Sequence, residues 1–150
     1  MSTNYYFRVV EGPLAACAPL HIGKISGGWQ FSFQGFLEEG GLRALPAASW
    51  GSMSIQVQVP RLMLRSFDDW MEFLSSTPGV IVSEYDEEMS FADFERMVRL
   101  RGPKATTSEE GALLNHFDYL KLHEETYGPV DPAKDWKDPL GYSFCAAEFC

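Results

Sequence analysis

A chain of 150 residues, 45% hydrophobic and 14% aromatic, is too apolar to stay disordered and long enough to bury a core, so one domain over 1–150 is expected. Its formal net charge of −9 weighs against direct binding to a nucleic-acid backbone, which gains from cations that release counterions. Residues 1–60 balance Arg8, Lys24 and Arg43 against Glu11, Glu38 and Glu39, so the whole excess lies in residues 61–150.

In chain order, residues 4–10 (NYYFRVV) combine β-branched and aromatic residues and predict a first strand. A connector with Gly12, Pro13 and Pro19 leads to LHIGKI, a second short strand, and Gly27-Gly28 predicts a tight turn. In WQFSFQGF (29–36), Trp29, Phe31 and Phe33 alternate with Gln30, Ser32 and Gln34. The pattern predicts a strand with the aromatics on the core face, Trp29 included. Residues 37–53 hold three glycines and Pro46 and predict a long loop, and SIQVQV (54–59) a further strand.

Ser66 stands three residues before Asp69, with Phe67, Trp70, Met71 and Leu74 on one helical face. Ser90 and Asp93 repeat the arrangement before Phe91, Phe94, Met97 and Val98, and Gly102-Pro103 ends that helix. Between the two, GVIVSEYDEEMS predicts a strand running into an acidic turn. GALLNHFDYL suits a short helix or an extended segment. TYGPVDPAKDWKDPLGY, with three prolines, predicts a loop carrying Trp136, and YSFCAAEF a final edge strand. The expected class is α+β: a mixed or antiparallel sheet of about four to six strands with two or three helices on one side.

The stretch HIGKISGG invites a nucleotide-binding reading. A phosphate-binding P-loop requires G-x-x-x-x-G-K-[ST] opening directly into a helix, but Ala18 and Ile25 occupy two of its required positions and a strand follows. The related H-I-G-H element of nucleotidyl-transferring synthetases opens a helix in a doubly wound fold. Its second His is Lys24 in this chain, and alternating βα units are lacking. A turn into the core is the simpler reading.

The segment from His21 to Phe31, H-I-G-K-x-S-G-G-W-x-F, resembles the signature of a group of small uncharacterised proteins of tailed bacteriophages and prophages. SFDDWMEFL, YDEEMSFADFERMV, GALLNH and the terminal FCAAEFC resemble further elements of that group in the same order, over about half of the chain. The resemblance implies a phage or prophage origin and action inside a bacterial host cell, without implying an activity. Members of the group often carry a C-x-x-C pair before the signature, which suggests zinc. This chain keeps only Cys17 there, spaced C-x₃-H from His21, so further ligands would have to come from His116, His123 or Cys145. Stoichiometric metal is not expected, and no motif calls for a cofactor.

Glu84, Asp86, Glu87 and Glu88 lack the spacing and glycine of a calcium loop. They form either a solvated acidic turn or a contact patch for a host protein with a basic surface. Trp50 and Trp136, both in predicted loops, either anchor such an interface or plug a loop onto the core. The leading expectation is a non-enzymatic accessory protein that binds a host protein and modulates or inhibits it, in its sharpest form an anti-CRISPR-like inhibitor of a defence system. Its contact residues would be Glu84, Asp86, Glu87, Glu88, Trp50 and Trp136. A small metal-dependent or nucleotide-handling enzyme using His21, Lys24 and His116 is the alternative, although no nucleophile elbow, H-E-x-x-H or paired-acid motif supports it. A zinc-stabilised binding module is the third reading. Three cysteines without a C-x-x-C pair, and an N-terminus without an apolar signal core, predict a reduced cytoplasmic chain that does not engage a membrane.

Overall fold

The computed structural model describes residues 2–11, 15, 19–36, 63–103, 106–107, 111–112 and 114–146. The expected loop at 37–53, the strand at 54–59, Cys17 and Trp50 lie outside them. The described elements are β1 (Ser2–Val9), β2 (Leu20–Ser26), β3 (Ser32–Gln34), α1 (Phe67–Ser76), β4 (Gly79–Ser83), β5 (Glu88–Met89), α2 (Phe91–Leu100), β6 (Thr106–Thr107), β7 (Gly111–Ala112), α3 (His116–Leu122), α4 (Glu124–Tyr127), β8 (Asp135–Lys137) and β9 (Ser143–Cys145).

Among the described residues, seven strands form one mixed sheet in the order β5-β4-β1-β2-β3-β9-β8, and β6 pairs with β7. The fold is α+β. Every pairing in the large sheet is antiparallel except β3 with β9, which is parallel. β9 is therefore not the final edge expected for YSFCAAEF; it lies inside the sheet and β8 closes that side.

The register separates two faces. One cross-strand row runs Ser83, Tyr5, Gly23, Phe33, Phe144, Trp136. Its aromatics, with Phe7, Ile22, Phe31 and Ile81, form the core face. The predicted helices α1 and α2 cover it: Phe67 meets Phe33 at 6.2 Å and Phe94 meets Phe31 at 5.6 Å, both edge-on, the preferred geometry for aromatic pairs. Their starts are as the sequence implies. Ser66 Oγ accepts from the Asp69 N–H at 3.1 Å and Ser90 Oγ from the Asp93 N–H at 3.1 Å, each satisfying a donor that the first turn leaves unpaired. Trp70, fully buried, donates from Nε1 to the Gln34 carbonyl at 2.9 Å, fixing α1 across β3.

One residue along, a second row runs Asn4, Lys24, Ser32, Ser143, Lys137 on the opposite face. α3 lies over its β8 end, where Lys137 Nζ meets Asp118 Oδ2 at 2.9 Å. Helices therefore occupy both faces rather than the single face expected.

This covering changes the reading of residues 29–36. Only Ser32–Gln34 are strand, and Gln30, Ser32 and Gln34 are buried alongside Phe31 and Phe33. Trp29 departs from the core face. It is half-buried, bridges to Leu114 and packs edge-on against Tyr119 of α3 at 5.3 Å. The alternation breaks because the backbone leaves the sheet: the Gln30 N–H bonds the Leu114 carbonyl at 2.7 Å and the Phe31 N–H that of Arg101 at 2.9 Å.

HIGK itself belongs to β2. The pairing of β1 with β2 shifts register between Tyr5 and Tyr6, so Ile22 has no opposite residue and the strand bulges there. Gly23 follows because a Cβ would strike the Ser32 carbonyl and the Phe31 ring. Gly28, at φ 78°, makes the left-handed turn that leads out of the strand.

Candidate functional site

The four acidic residues come together at one edge of the sheet. Glu84, Tyr85 and Asp86 form the three-residue loop closed by the Ser83–Glu87 pair, between β4 and β5. Asp86 N–H bonds the Ser83 carbonyl at 3.0 Å, and Ser83 N–H bonds the Glu87 carbonyl at 2.9 Å. Asp86 adopts φ 61°, the left-handed residue that three-residue hairpins require after their turn. Ser83, nearly buried, braces the loop from beneath, its Oγ lying 3.2 Å from the Tyr85 N and 3.3 Å from the Glu87 N as acceptor.

The carboxylates are not equivalent, as a plain acidic turn would have them. Glu84 Oε1 accepts the Asn4 N–H at 2.9 Å and ties the hairpin to β1. Asp86 reaches Arg8 at 3.4 Å, a pair with side chains 85% and 49% exposed, which contributes about 1 kcal/mol at most. Glu87 and Glu88 are exposed, and Tyr85 at the tip keeps 59% of its surface in solvent. A cavity of ≈ 200 Å³ opens between Tyr85, Glu87, Thr3 and Tyr5. Burial, followed by the Glu87 charge, raises the Tyr5 phenol above its ordinary pKa. Sequence reasoning found the carboxylates but passed over Tyr85, which their spacing encloses.

Trp136 is neither in a loop nor near this hairpin. It sits on β8 at the other edge of the sheet, six strand spacings away, or about 29 Å. Its ring stacks on Phe144 at 5.7 Å, its Nε1 donates to the Arg65 carbonyl at 2.9 Å, and the Arg65 guanidinium lies 5.2 Å from the ring centroid. It is 9% exposed, so of its two open roles the structure assigns the core one. Three prolines masked the strand because they flank it rather than interrupt it.

Of the trio His21, Lys24 and His116, the fold brings two together. Lys24 and His116 line a cavity of ≈ 270 Å³ with Ser26, Trp29, Gln30 and Ser32. His116 is held below its ordinary pKa mainly by burial, with Lys24 adding to the effect and Asp135, 3.9 Å from Nε2, opposing it. His21 stays outside that lining: its Nε2 meets Asn4 Oδ1 at 3.0 Å and its ring stacks on Tyr6 at 5.0 Å. His123 packs on Tyr119 at 4.4 Å. Among the described residues, no three His, Cys, Asp or Glu side chains converge as a metal set would, and no helix is long and apolar enough to cross a membrane. Gln30 and Ser32 escaped notice as lining residues because their alternation with aromatics reads as a solvent face.

No protein-family model, curated protein or solved structure matches the chain.

Proposed function

We propose that the protein is a non-enzymatic binding module that docks its Ser83–Glu88 hairpin onto a basic surface of another protein. The observation that carries this reading is Tyr85, an exposed aromatic at the tip of a braced loop, with Glu84, Asp86, Glu87 and Glu88 next to it in the chain. Tyrosine is enriched among the residues that dominate interface energies, because it offers a large contact area with few rotors to order. The surrounding carboxylates speed encounter with a cationic partner and repel nucleic acid. Backbone hydrogen bonds from Ser83 and Glu84 fix the loop before contact, so little ordering cost remains on binding.

The resemblance of His21–Phe31 to small phage and prophage proteins supplies the setting. The reading is an accessory protein that acts on a bacterial host protein, with inhibition of a defence system, in the manner of an anti-CRISPR protein, as its sharpest form. A Lys/Arg surface that normally holds nucleic acid is the kind of target the hairpin fits.

The test is paired capture from bacterial lysate with wild type, Tyr85→Ala and the triple variant Asp86→Lys, Glu87→Lys, Glu88→Lys. Glu84 is left intact because it holds Asn4. The triple variant should associate with the captured protein about tenfold more slowly at low salt, and Tyr85→Ala should dissociate faster. Wild-type rates from both folded variants would refute the assignment.

A further inference from the structure

The cavity on the polar face of the sheet, more than one strand away from the acidic hairpin, has features of its own. It is lined by Lys24, Ser26, Trp29, Gln30, Ser32 and His116. Lys24 and Ser32 are cross-strand partners on β2 and β3, and His116 opens α3 above them. In a chain of net charge −9, this brings an ammonium and an imidazole into one recess.

Gln30, only 7% exposed, adds a polar group to the lining. Asn115 has its orientation fixed, because its Oδ1 accepts from the Phe117 and Asp118 N–H groups and its Nδ2 donates to the Gly141 carbonyl at 3.0 Å. The same Nδ2 donates to Gln30 Oε1 at 2.8 Å, so the remaining Gln30 group is its Nε2 donor. That donor is the group the side chain can offer to the recess. Ser32 Oγ lies 3.4 Å from Ser143 Oγ and adds a hydroxyl at the floor. Lys24 is the charged side chain of the lining, and Gln30 Nε2 and Ser32 Oγ can add neutral donors beside it.

We propose that this cavity binds a small organic oxyanion, with Lys24, Gln30, Ser32 and His116 around the anionic head and Trp29 against a flat apolar body. A volume of ≈ 270 Å³ exceeds a bare oxyanion, since a water molecule occupies about 30 Å³. The indole of Trp29, half-buried and held edge-on by Tyr119, supplies a wall for the body. Asp135 Oδ1 lies 3.9 Å from His116 Nε2, on the side of β8. An anion beside Lys24 and His116 removes the repulsion between them and favours the protonated ring.

Phenyl phosphate, benzoate and inorganic phosphate are suitable probes, each titrated to about 10 mM while the His116 ring protons are followed by NMR. Phenyl phosphate or benzoate should shift the His116 and Trp29 signals and raise the pH midpoint of His116. Whichever binds more tightly identifies the head group, and inorganic phosphate should bind at least about fivefold more weakly. Lys24→Met should weaken binding about tenfold or more. Gln30→Glu retains an acceptor for Asn115 while replacing the donor by a carboxylate, so a folded protein should lose binding altogether. No shift with any probe, or unchanged binding in both folded variants, overturns the proposal. Equal affinity for inorganic phosphate overturns the role given to Trp29.

Discussion

Asp138 accepts the Phe67 N–H through Oδ2 at 2.7 Å, joining the turn between β8 and β9 to the first residue of α1. Its Oδ1 accepts from the Tyr142 N–H at 2.8 Å and the Leu140 N–H at 3.1 Å, so one nearly buried carboxylate organises two segments 71 residues apart. Asp138→Ala should destabilise the fold by about 3 kcal/mol or more, because it removes charge-assisted bonds and leaves buried donors unpaired. Asp138→Asn, which keeps one acceptor oxygen, should cost about half as much. Urea melts of the two variants check the order, and equal losses would contradict it.

Phe33→Ala and Trp29→Ala should separate the two ends of WQFSF. Phe33 is fully buried among Phe31, Phe67, Tyr142 and Phe144, and its truncation should cost about 3–5 kcal/mol. Trp29, half-buried against Tyr119, should cost only about 1–2 kcal/mol. A Trp29 loss as large as that of Phe33 in the same denaturant series would place its indole back in the core.

Asp86→Gly should stabilise the protein by about 0.5–1 kcal/mol, since φ 61° favours glycine and the Arg8 pair that is lost is largely exposed. A lower melting temperature in a calorimetric scan would mean that the Arg8 pair outweighs the backbone term.

His116 imparts a pH dependence of known sign. Its folded pKa lies below the ordinary 6.5, mainly through burial, so the unfolded chain takes up the proton first. The associated stability is present above about pH 6.5 and is lost as pH falls through the folded value. Comparing wild type with His116→Gln at about pH 7.5 and about pH 5 isolates this contribution, and the variant should lose less on acidification. An equal loss in both proteins would show that other groups carry the acid response.

Local signals were legible and long-range ones were not. Ser66 with Asp69 and Ser90 with Asp93 mark their helices because capping is settled within one turn. The acidic turn was legible for the same reason, its residues being adjacent in the chain, whereas β5 beyond it was not. Gln30 and Ser32 look like solvent-facing residues because alternation reports two faces without saying that α3 and Asn115 cover the second. Trp136 reads as a loop residue because prolines dominate its neighbourhood, while its strand exists only through Phe144 and β9. The cavity around Lys24 depends on cross-strand register, and nothing in the spacing of Lys24, Ser32 and His116 reveals it.

The parallel pairing of β3 with β9 also governs the order of assembly. Ser32 and Ser143 are partners across 111 residues, whereas β3 meets β2 almost at once. The strands up to β5 and both helices on the core face all precede β9 in the chain, and it is β9 that pairs with the outer side of β3 and brings Phe144 to stack on Phe33. Closing so long a loop is slow relative to forming hairpins, and an open strand edge recruits foreign strands. A chain cut short of residue 143 would therefore leave that edge of β3 open to strand addition.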